Sequence, residues 1–298
     1  MTQQQALDIG TKAIGQHDAR LLLSHITGQS LTNIILNNTK PLDEPAIGAF
    51  LAAIERRKAK EPLQYILGRW AFMGLDIITD PRALIPRQET ELLVEEALAF
   101  IHGLGRRRAK VLDVCTGSGC IAVAIAKLSD ADVTAIDISP AALALAAENT
   151  ALHQADIHFL QSDLFAGLDG QAYDVIISNP PYIPTGELTN LQTEIQDHEP
   201  MLALDGGPDG IDIYRRLIPA SLNHLTPDGA LFLEIGPRVV ETIMKSAGYG
   251  IVRLVKDYAG LNRVLAGQKQ HKSAHSKSKR SPRQAKPEGA GAPDPEEA

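Results

Sequence analysis

The stretch KVLDVCTGSGCIAVAIAKL, residues 110–128, carries the pattern that decides the fold. A short apolar run leads into a Gly-rich turn, and an apolar segment of helical length follows. Glycines at a strand-to-helix turn let the backbone approach a ligand closely, and the start of the helix offers free N–H groups. We therefore predict a βα unit whose turn binds a ligand through Cys115, Thr116, Gly117, Ser118 and Gly119.

The turn alone is weak evidence, since a plain tight turn between a strand and a helix has a similar sequence. No Gly-Lys-Ser/Thr follows, which argues against a P-loop, and Cys115 replaces the first glycine of the dinucleotide fingerprint. The next predicted strand ends in Asp137, about twenty residues on, where doubly wound folds place an acid that binds ribose hydroxyls. Asp137 can also cap the helix that starts at Pro140, although Ser139 can do so instead. The turn and the acid together indicate a nucleoside cofactor.

The segments around this unit predict an α/β fold. From residue 110 onward, continuous apolar strands alternate with helices, which is typical of a parallel sheet covered on both faces. The last two predicted strands, GIVRLVKDYAG and NRVLAG, are too close for a helical crossover, so the final strand should be antiparallel. Residues 1–62 read as helical, residues 63–88 as short β pieces that include LQYIL and LDIIT, and residues 88–103 as a helix.

Composition limits the possible partners. Only 4% of the 298 residues are aromatic, and the net charge of −7 is uneven, because residues 268–298 hold seven Lys/Arg and four Asp/Glu. Residues 1–267 carry the remaining net charge of −10. We therefore do not expect nucleic acid to be the main partner. We expect residues 268–298, rich in Lys, Ser, Pro and Gly, to be disordered.

The sequence also suggests where the protein works. No run approaches the ~20 apolar residues of a membrane span, and the first ten residues do not resemble a signal peptide. Two cysteines five positions apart predict neither a disulfide framework nor a metal site. We expect a cytoplasmic protein.

Two further strand ends supply candidate site residues. After the third strand, Asp163 can accept from an adenine amino group and Phe165 can pack on the ring, but a loop cap and a core aromatic explain them equally well. After the fourth strand comes IISNPPYIP, residues 176–184. The prolines alone can be a strand stop, because proline has no N–H for a sheet ladder. That explanation leaves the polar Asn179 and Tyr182 unexplained.

Amide chemistry accounts for this motif. The nitrogen of a conjugated –NH2 group is a poor nucleophile, because its lone pair is delocalised. Two acceptors, the Asn179 side-chain oxygen and the Pro180 carbonyl, can hold its two N–H groups and favour attack. Pro181 stiffens the loop, and Tyr182 can pack on the flat amide. Catalysis would then come mainly from positioning.

At this point the sequence resembles a known family. Asn-Pro-Pro-Tyr is similar to the motif of amino-methyltransferases that use S-adenosyl-L-methionine. The likeness extends over about residues 18–267, through the segments DARLLLSHITG, EPLQYILG, LIPRQETELLVEEAL, VLDVCTGSGCIAVAIA, SNPPYIP, EPMLALDGGPDGIDIYRRLI and LEIGP. Together they resemble the bacterial peptide chain release factor glutamine methyltransferases. That family methylates the glutamine amide nitrogen in the Gly-Gly-Gln motif of class 1 release factors.

The resemblance implies an organisation of the whole chain. It implies a helical substrate-recognition domain over residues 1–62, a β-hairpin linker over 63–88 and a methyltransferase domain over 89–267. The methyltransferase domain would be Rossmann-like, with the seven-stranded sheet of class I methyltransferases. It implies a monomer whose partner is the release factor.

The resemblance also implies roles for single residues. Residues 115–119 would form the cofactor loop, Asp137 would bind the ribose, and Phe165 would flank the adenine. Asn179 would lie at the methyl end, and residues 179–182 would bind the glutamine. Two positions depart from the family pattern: Cys115 replaces a usual Gly, and Gln88 replaces a frequent Pro.

Three alternatives remain open from the sequence. A ribosomal-protein glutamine methyltransferase would share Asn-Pro-Pro-Tyr, although the PRQETE stretch favours the release-factor branch. A DNA adenine methyltransferase uses the same motif, but it requires a flipped-base pocket and a basic face. A non-enzymatic binding module would bind the cofactor but catalyse no methyl transfer.

Overall fold

The structure is a computed structural model that describes residues 1–105, 108–168, 170–236 and 239–269. Most of the predicted tail, from residue 270 onward, lies outside the described residues. The helices are α1 (Gln3–Ile14), α2 (Gln16–Thr27), α3 (Leu31–Leu36), α4 (Glu44–Lys58), α5 (Leu63–Leu67), α6 (Gln88–Gly103), α7 (Cys120–Leu128), α8 (Pro140–His153), α9 (Thr193–His198), α10 (Asp212–Ser221) and α11 (Val240–Ala247). The strands are β1 (Arg69–Phe72), β2 (Leu75–Ile78), β3 (Lys110–Val114), β4 (Asp132–Asp137), β5 (Ile157–Gln161), β6 (Tyr173–Ser178), β7 (Leu225–Glu234), β8 (Tyr249–Lys256) and β9 (Asn262–Lys269).

A seven-stranded sheet forms the centre of the larger part of the molecule. Its strand order is β5-β4-β3-β6-β7-β9-β8, and β9 runs antiparallel to both neighbours. Strands β3 to β7 pair in parallel, and their apolar side chains form two buried clusters that include Val111 and Ile177 in one and Leu112 and Ile176 in the other. Since neighbouring residues on a strand point to opposite faces, both faces of the sheet are covered. The predicted α/β class and the antiparallel final strand are confirmed.

The strand order places a ligand site at one edge. The chain leaves β3 towards β4 on one side, and it later returns to the other side of β3 as β6. In open α/β sheets ligands bind outside the carboxyl ends of the strands at such a reversal. The Gly-rich turn after β3 and Asn179 after β6 both lie at this reversal.

The first four helices surround a separate core that includes Leu22, Leu23, Ile34 and Phe50, each almost fully buried. Arg57 on α4 connects this region with the rest of the chain. Its guanidinium lies 2.6 Å from Asp18 on α2 and 2.8 Å from Glu194 on α9. Among the described residues, no helix combines the length and apolar character needed to cross a lipid bilayer.

One predicted element type and one predicted boundary are wrong. LQYIL forms the helix α5 rather than a β piece; Gly68 ends it in the left-handed conformation, and the helix buries Leu63 and Tyr65. A five-residue segment with four apolar residues fits either structure, and here tertiary packing selects the helix. The tail does not start at residue 268, because β9 continues to Lys269, whose ammonium donates to the Leu222 and Leu225 carbonyls at 2.7 and 2.8 Å.

Candidate active site

A cavity of about 320 Å³ opens at the carboxyl ends of β3, β4 and β6. Eight of the predicted site residues line it: Cys115, Thr116, Gly117, Ser118, Asp137, Asp163, Asn179 and Pro181. Four others, Gly119, Phe165, Pro180 and Tyr182, are not among its lining residues. The structure therefore brings most of the predicted set together around one space.

The Gly-rich turn has the backbone geometry that its sequence predicts. Gly117 has a φ of +56° and Gly119 a φ of +78°, both in the left-handed region. A Cβ atom on Gly119 would lie 2.8 Å from the Ala146 Cβ, so this glycine permits close packing of the turn against α8. Cys115 also adopts a left-handed φ, of +60°, which explains why glycine is favoured at that position.

Asp137 connects the turn with the next strand end. Its carboxylate accepts from the backbone N–H of Gly117 and from that of Ser139, each at 2.9 Å. The Ser139 hydroxyl, not Asp137, accepts from the Ala142 N–H and caps α8. Burial raises the pKa of Asp137, and the backbone N–H groups oppose that shift. A carboxylate offers about four acceptor positions, so Asp137 retains capacity for a ligand's hydroxyls.

The two residues predicted near an adenine take different positions. Asp163 lies at the cavity, with its carboxylate 2.7 Å from the Arg216 guanidinium in an exposed ion pair. Phe165 is buried and stacks on His224, with ring centroids 4.8 Å apart and an angle of 10° between the planes. Its neighbour Leu164 lines the cavity instead. Phe165 is therefore part of the core here, and its cofactor role stays a prediction.

Asn179 is held by a chain of hydrogen bonds that the sequence does not reveal. Its amide nitrogen donates to the Thr90 hydroxyl at 3.2 Å, and that hydroxyl donates to the Glu234 carboxylate at 2.6 Å. Among the described residues, no protein group donates to the Asn179 side-chain oxygen or to the Pro180 carbonyl. Neither predicted acceptor is therefore occupied by a described protein donor, and Asn179 lines the cavity while the adjacent Pro180 is buried.

Tyr182 lies against a glycine-rich support. A Cβ on Gly206 would lie 2.7 Å from the Tyr182 Cα, and one on Gly210 would lie 2.4 Å from the Tyr182 carbonyl oxygen. A Cβ on Gly236 would lie 2.5 Å from the Tyr182 ring. The segment around Gly206 is also paired with the loop, because the Gly206 N–H donates to the Ile183 carbonyl at 2.8 Å. The DGGPDG sequence was a visible signal for this support.

A segment that follows Tyr182 covers part of the cavity. Pro200, Leu202 and Ala203 line the cavity, and the preceding Glu199 is buried. Its carboxylate pairs with the Arg87 guanidinium and accepts from the Ile85 N–H at 3.2 Å. Gln88 then starts α6 at the position where proline is often found, with Arg87 as its N-cap. The contacts of Glu199 therefore connect the segment that covers the cavity with the residues that precede α6.

Asn149 is another residue that sequence reasoning missed. It is fully buried on α8, and its amide nitrogen donates to the Ser118 carbonyl at 2.9 Å and the Ile78 carbonyl at 3.1 Å. Its oxygen accepts from the Ile78 N–H at 2.7 Å. A polar residue on the apolar face of a helix was the available signal. Through these hydrogen bonds, Asn149 connects the hairpin of β1 and β2 with the Gly-rich turn.

Asp113, buried beneath the turn, predicts a pH dependence of stability. Burial raises the pKa of its carboxyl group from 3.8 to about 7, although the Thr116 hydroxyl donates to it at 2.6 Å. The folded state therefore favours the protonated acid, and this stabilisation is lost as the pH rises through about 7. Asp113→Asn cannot ionise. We expect its melting temperature minus that of the wild type to increase between about pH 5 and pH 8 in thermal unfolding. A difference that stays constant would contradict this assignment.

Comparisons with known proteins relate two parts of the chain to family models and its fold to solved structures. Residues 89–206 match the family model "Methyltransferase small domain", and residues 8–68 match "PrmC N-terminal domain". The described fold is similar to a methyltransferase from Pyrococcus furiosus, with a TM-score of 0.50 and 21% identity over 75% of this chain and 98% of that one. It is also similar to a T. thermophilus 16S rRNA methyltransferase solved with AdoMet and guanosine, with a TM-score of 0.52 and 18% identity over 68% of this chain and 50% of that one. At these identities the structural likeness concerns the fold alone.

Sequence relatives identify the family. The release factor glutamine methyltransferase of Geobacter sulfurreducens is 42% identical over 261 residues, which cover 85% of this chain and 90% of that protein. Its namesake in Moorella thermoacetica is 39% identical over 279 residues, 89% of this chain and 98% of that protein. A third, from Deinococcus radiodurans, is 41% identical over 236 residues, 78% of this chain and 84% of that protein. The chain therefore belongs to the release factor glutamine methyltransferase family.

Proposed function

We propose that this protein transfers a methyl group from S-adenosyl-L-methionine to a glutamine of class 1 peptide chain release factors. The acceptor is the side-chain amide nitrogen of the glutamine in the Gly-Gly-Gln motif. The products are N5-methylglutamine, S-adenosylhomocysteine and one proton lost from the amide nitrogen. Family membership supports the substrate class. The observation that carries the proposal is the Asn179 side-chain oxygen, which lies on a cavity-lining residue and accepts from no protein donor among the described residues. The adjacent Pro180 carbonyl also has no donor within the described part of the chain.

The cavity residues fit S-adenosyl-L-methionine, which supplies an electrophilic methyl group when it is bound. A Cβ on Gly117 would have one neighbour within 4 Å, the Ala83 Cβ at 3.9 Å, so bare backbone faces open space there. Asp137 supplies a carboxylate for ribose hydroxyls, and the apolar side chains of Ile138 and Leu164 suit an adenine ring. We assign residues 115–119, Asp137 and Asp163 to cofactor binding.

Positioning of the glutamine amide is the main catalytic contribution of the chain. The Asn179 oxygen and the Pro180 carbonyl accept one N–H each, which orients the amide nitrogen and favours its pyramidal form. Pro181 limits the motion of the loop, and Tyr182, fixed by its glycine support, packs against the flat amide. No side chain has to act as a nucleophile, because the substrate nitrogen itself attacks. Effects of this kind can lower a barrier by several kcal/mol, about 7–11 kcal/mol in well-oriented intramolecular reactions.

We assign the remaining parts of the chain as follows. Residues 1–62 hold the release factor at a distance from its Gly-Gly-Gln loop, and residues 63–88 connect them to the methyltransferase domain, residues 89–267. The protein acts as a monomer in the cytoplasm, without stable binding to nucleic acid or membranes. The acidic charge of residues 1–267 supports the absence of nucleic acid as a partner.

A comparison of substrates tests the proposed function. Purified protein is incubated with radiolabelled S-adenosyl-L-methionine and, in parallel, with class 1 release factors, ribosomal proteins and duplex DNA. We expect label in the release factors alone. Label in a ribosomal protein would support the alternative glutamine methyltransferase, and label in DNA would support an adenine methyltransferase. Binding of the cofactor without label in any substrate would indicate a binding module.

Asp137→Ala should weaken cofactor binding. Two ribose hydroxyls would lose a charged acceptor, and hydrogen bonds to charged groups contribute about 1.5–3 kcal/mol, so the dissociation constant should rise at least about tenfold. Isothermal titration calorimetry with S-adenosyl-L-methionine measures the change. Asp132→Ala, an exposed carboxylate at the start of the same strand, is the matched control. Equal affinity of Asp137→Ala and the wild type would remove Asp137 from the cofactor site.

A further inference from the structure

The hydrogen-bonded chain from Asn179 through Thr90 to Glu234 crosses three separate elements. Asn179 follows β6, Thr90 lies in the first turn of α6, and Glu234 ends β7. Thr90 and Glu234 are each only 2% exposed, so water has little access to their contact. The hydroxyl-to-carboxylate distance of 2.6 Å is that of a strong hydrogen bond. Burial raises the pKa of the Glu234 carboxyl, and the Thr90 hydroxyl opposes that shift because it donates to the ionised form.

The order of donors and acceptors in this chain gives it a direction. An ionised carboxylate only accepts hydrogen bonds, and a hydroxyl has a single proton to donate. Because Thr90 donates its proton to Glu234, it can only accept from Asn179. The group of Asn179 that faces Thr90 must therefore be its –NH2, and the carbonyl oxygen must point elsewhere. Asn179 itself lines the cavity.

This direction matters for the proposed chemistry. A planar side-chain amide can turn by half a rotation with little change in shape, which exchanges its oxygen and nitrogen. In the turned orientation Asn179 would present its own N–H groups to the N–H groups of a substrate amide, and the two donors would repel each other. A bond that fixes the rotation therefore selects the orientation able to accept.

We propose that Thr90 and Glu234 are positioning residues that hold the Asn179 amide with its oxygen towards the substrate glutamine. This inference rests on the proposed function. Neither residue has to touch the substrate amide, and both act through Asn179. The Glu234 carboxylate accepts the proton of the Thr90 hydroxyl. The Thr90 oxygen can then only accept, so it binds the –NH2 group of Asn179 and not its oxygen.

Threonine variants test the proposal under saturating cofactor and release factor. Thr90→Val removes the hydroxyl but keeps the shape, so kcat for methyl transfer should fall about tenfold or more. Thr90→Ser should restore most of the rate, because it keeps the hydroxyl. Thr79→Val is the matched control: Thr79 is also 2% exposed, and its hydroxyl donates to the Gln64 carbonyl at 2.9 Å, away from Asn179. It should lower the melting temperature while kcat stays near the wild-type value.

Glu234→Gln is a second, nearly isosteric variant. Its neutral amide offers Thr90 a donor as well as an acceptor, so the chain loses its fixed direction. We expect a reduced kcat and an unchanged dissociation constant for S-adenosyl-L-methionine. This variant keeps the proposal testable if Thr90→Val does not fold.

A double-mutant cycle separates positioning from a structural role. If Thr90 acts through Asn179, Thr90→Val should have almost no further effect on kcat in the Asn179→Ala background. Equal effects of Thr90→Val in the two backgrounds would overturn the proposal, as would single variants at Thr90 and Glu234 with rates within about threefold of the wild type. If the wild-type protein transfers no methyl group to a release factor, the proposed function fails and this inference fails with it.

Discussion

Asn179→Ala is expected to lower kcat for release-factor methylation by about 10²–10³, the usual effect of removing one positioned transition-state hydrogen bond. The Asn179 oxygen is the acceptor for one N–H of the substrate amide, and alanine removes it without filling its place. Cofactor affinity and the melting temperature should change little, since Thr90 is the one hydrogen-bond partner of the Asn179 side chain within the described part of the chain. Single-turnover methyl transfer measures the rate, and calorimetry and thermal unfolding measure the other two quantities.

Two further variants make this result specific. Asn190→Ala removes an exposed asparagine eleven positions along the chain and should leave the rate unchanged. Asn179→Asp keeps an oxygen but adds a negative charge that can tighten binding of the sulfonium cofactor and misalign the amide. If the prolines only end a strand, Asn179→Ala should transfer the methyl group at nearly the wild-type rate. A rate within about threefold of the wild type would remove Asn179 from catalysis.

Gly206→Ala is expected to lower kcat by about 10²-fold, because displacement of catalytic groups by about 1 Å can have an effect of that size. The added Cβ would lie 2.7 Å from the Tyr182 Cα and 2.9 Å from the Gly210 carbonyl oxygen, both backbone atoms. The loop that carries Tyr182 must therefore move. Overpacking typically costs about 1–3 kcal/mol, so the melting temperature should also fall.

Gly186→Ala is the matched control for this prediction. Gly186 lies between Tyr182 and Gly206 in the chain, is exposed, and has no atom within 4 Å of an added Cβ. It should leave both the rate and the melting temperature near their wild-type values. Wild-type activity of Gly206→Ala would show that the position of Tyr182 does not matter for transfer.

Local sequence patterns were sufficient for the main sheet and for the ligand-binding edge. The alternation of apolar strands and helices predicts parallel pairing, and short connections predict an antiparallel last strand. The Gly-rich turn and Asn179 each follow a strand and Asp137 ends one, so a parallel sheet brings them to one edge. Their meeting around a single cavity could thus be predicted without any long-range contact.

Other features depend on contacts that sequence spacing does not encode. Thr90 is 89 positions from Asn179 and 144 from Glu234, and no local pattern marks such a chain of hydrogen bonds. Phe165 could point to either side of its loop, and only the structure shows that it stacks on His224. The LQYIL segment illustrates a different limit, because so short and mostly apolar a segment fits a helix as well as a strand.

Mass spectrometry of the modified release factor tests the central claim most directly. A class 1 release factor is incubated with the purified protein and S-adenosyl-L-methionine, digested, and the Gly-Gly-Gln peptide is fragmented to locate the added mass. We predict one added methyl group on the side-chain amide of that glutamine, with a rate of addition at least about a hundredfold lower for Asn179→Ala. An unmodified glutamine in this peptide, with the methyl group on another residue or on no residue, would contradict the account.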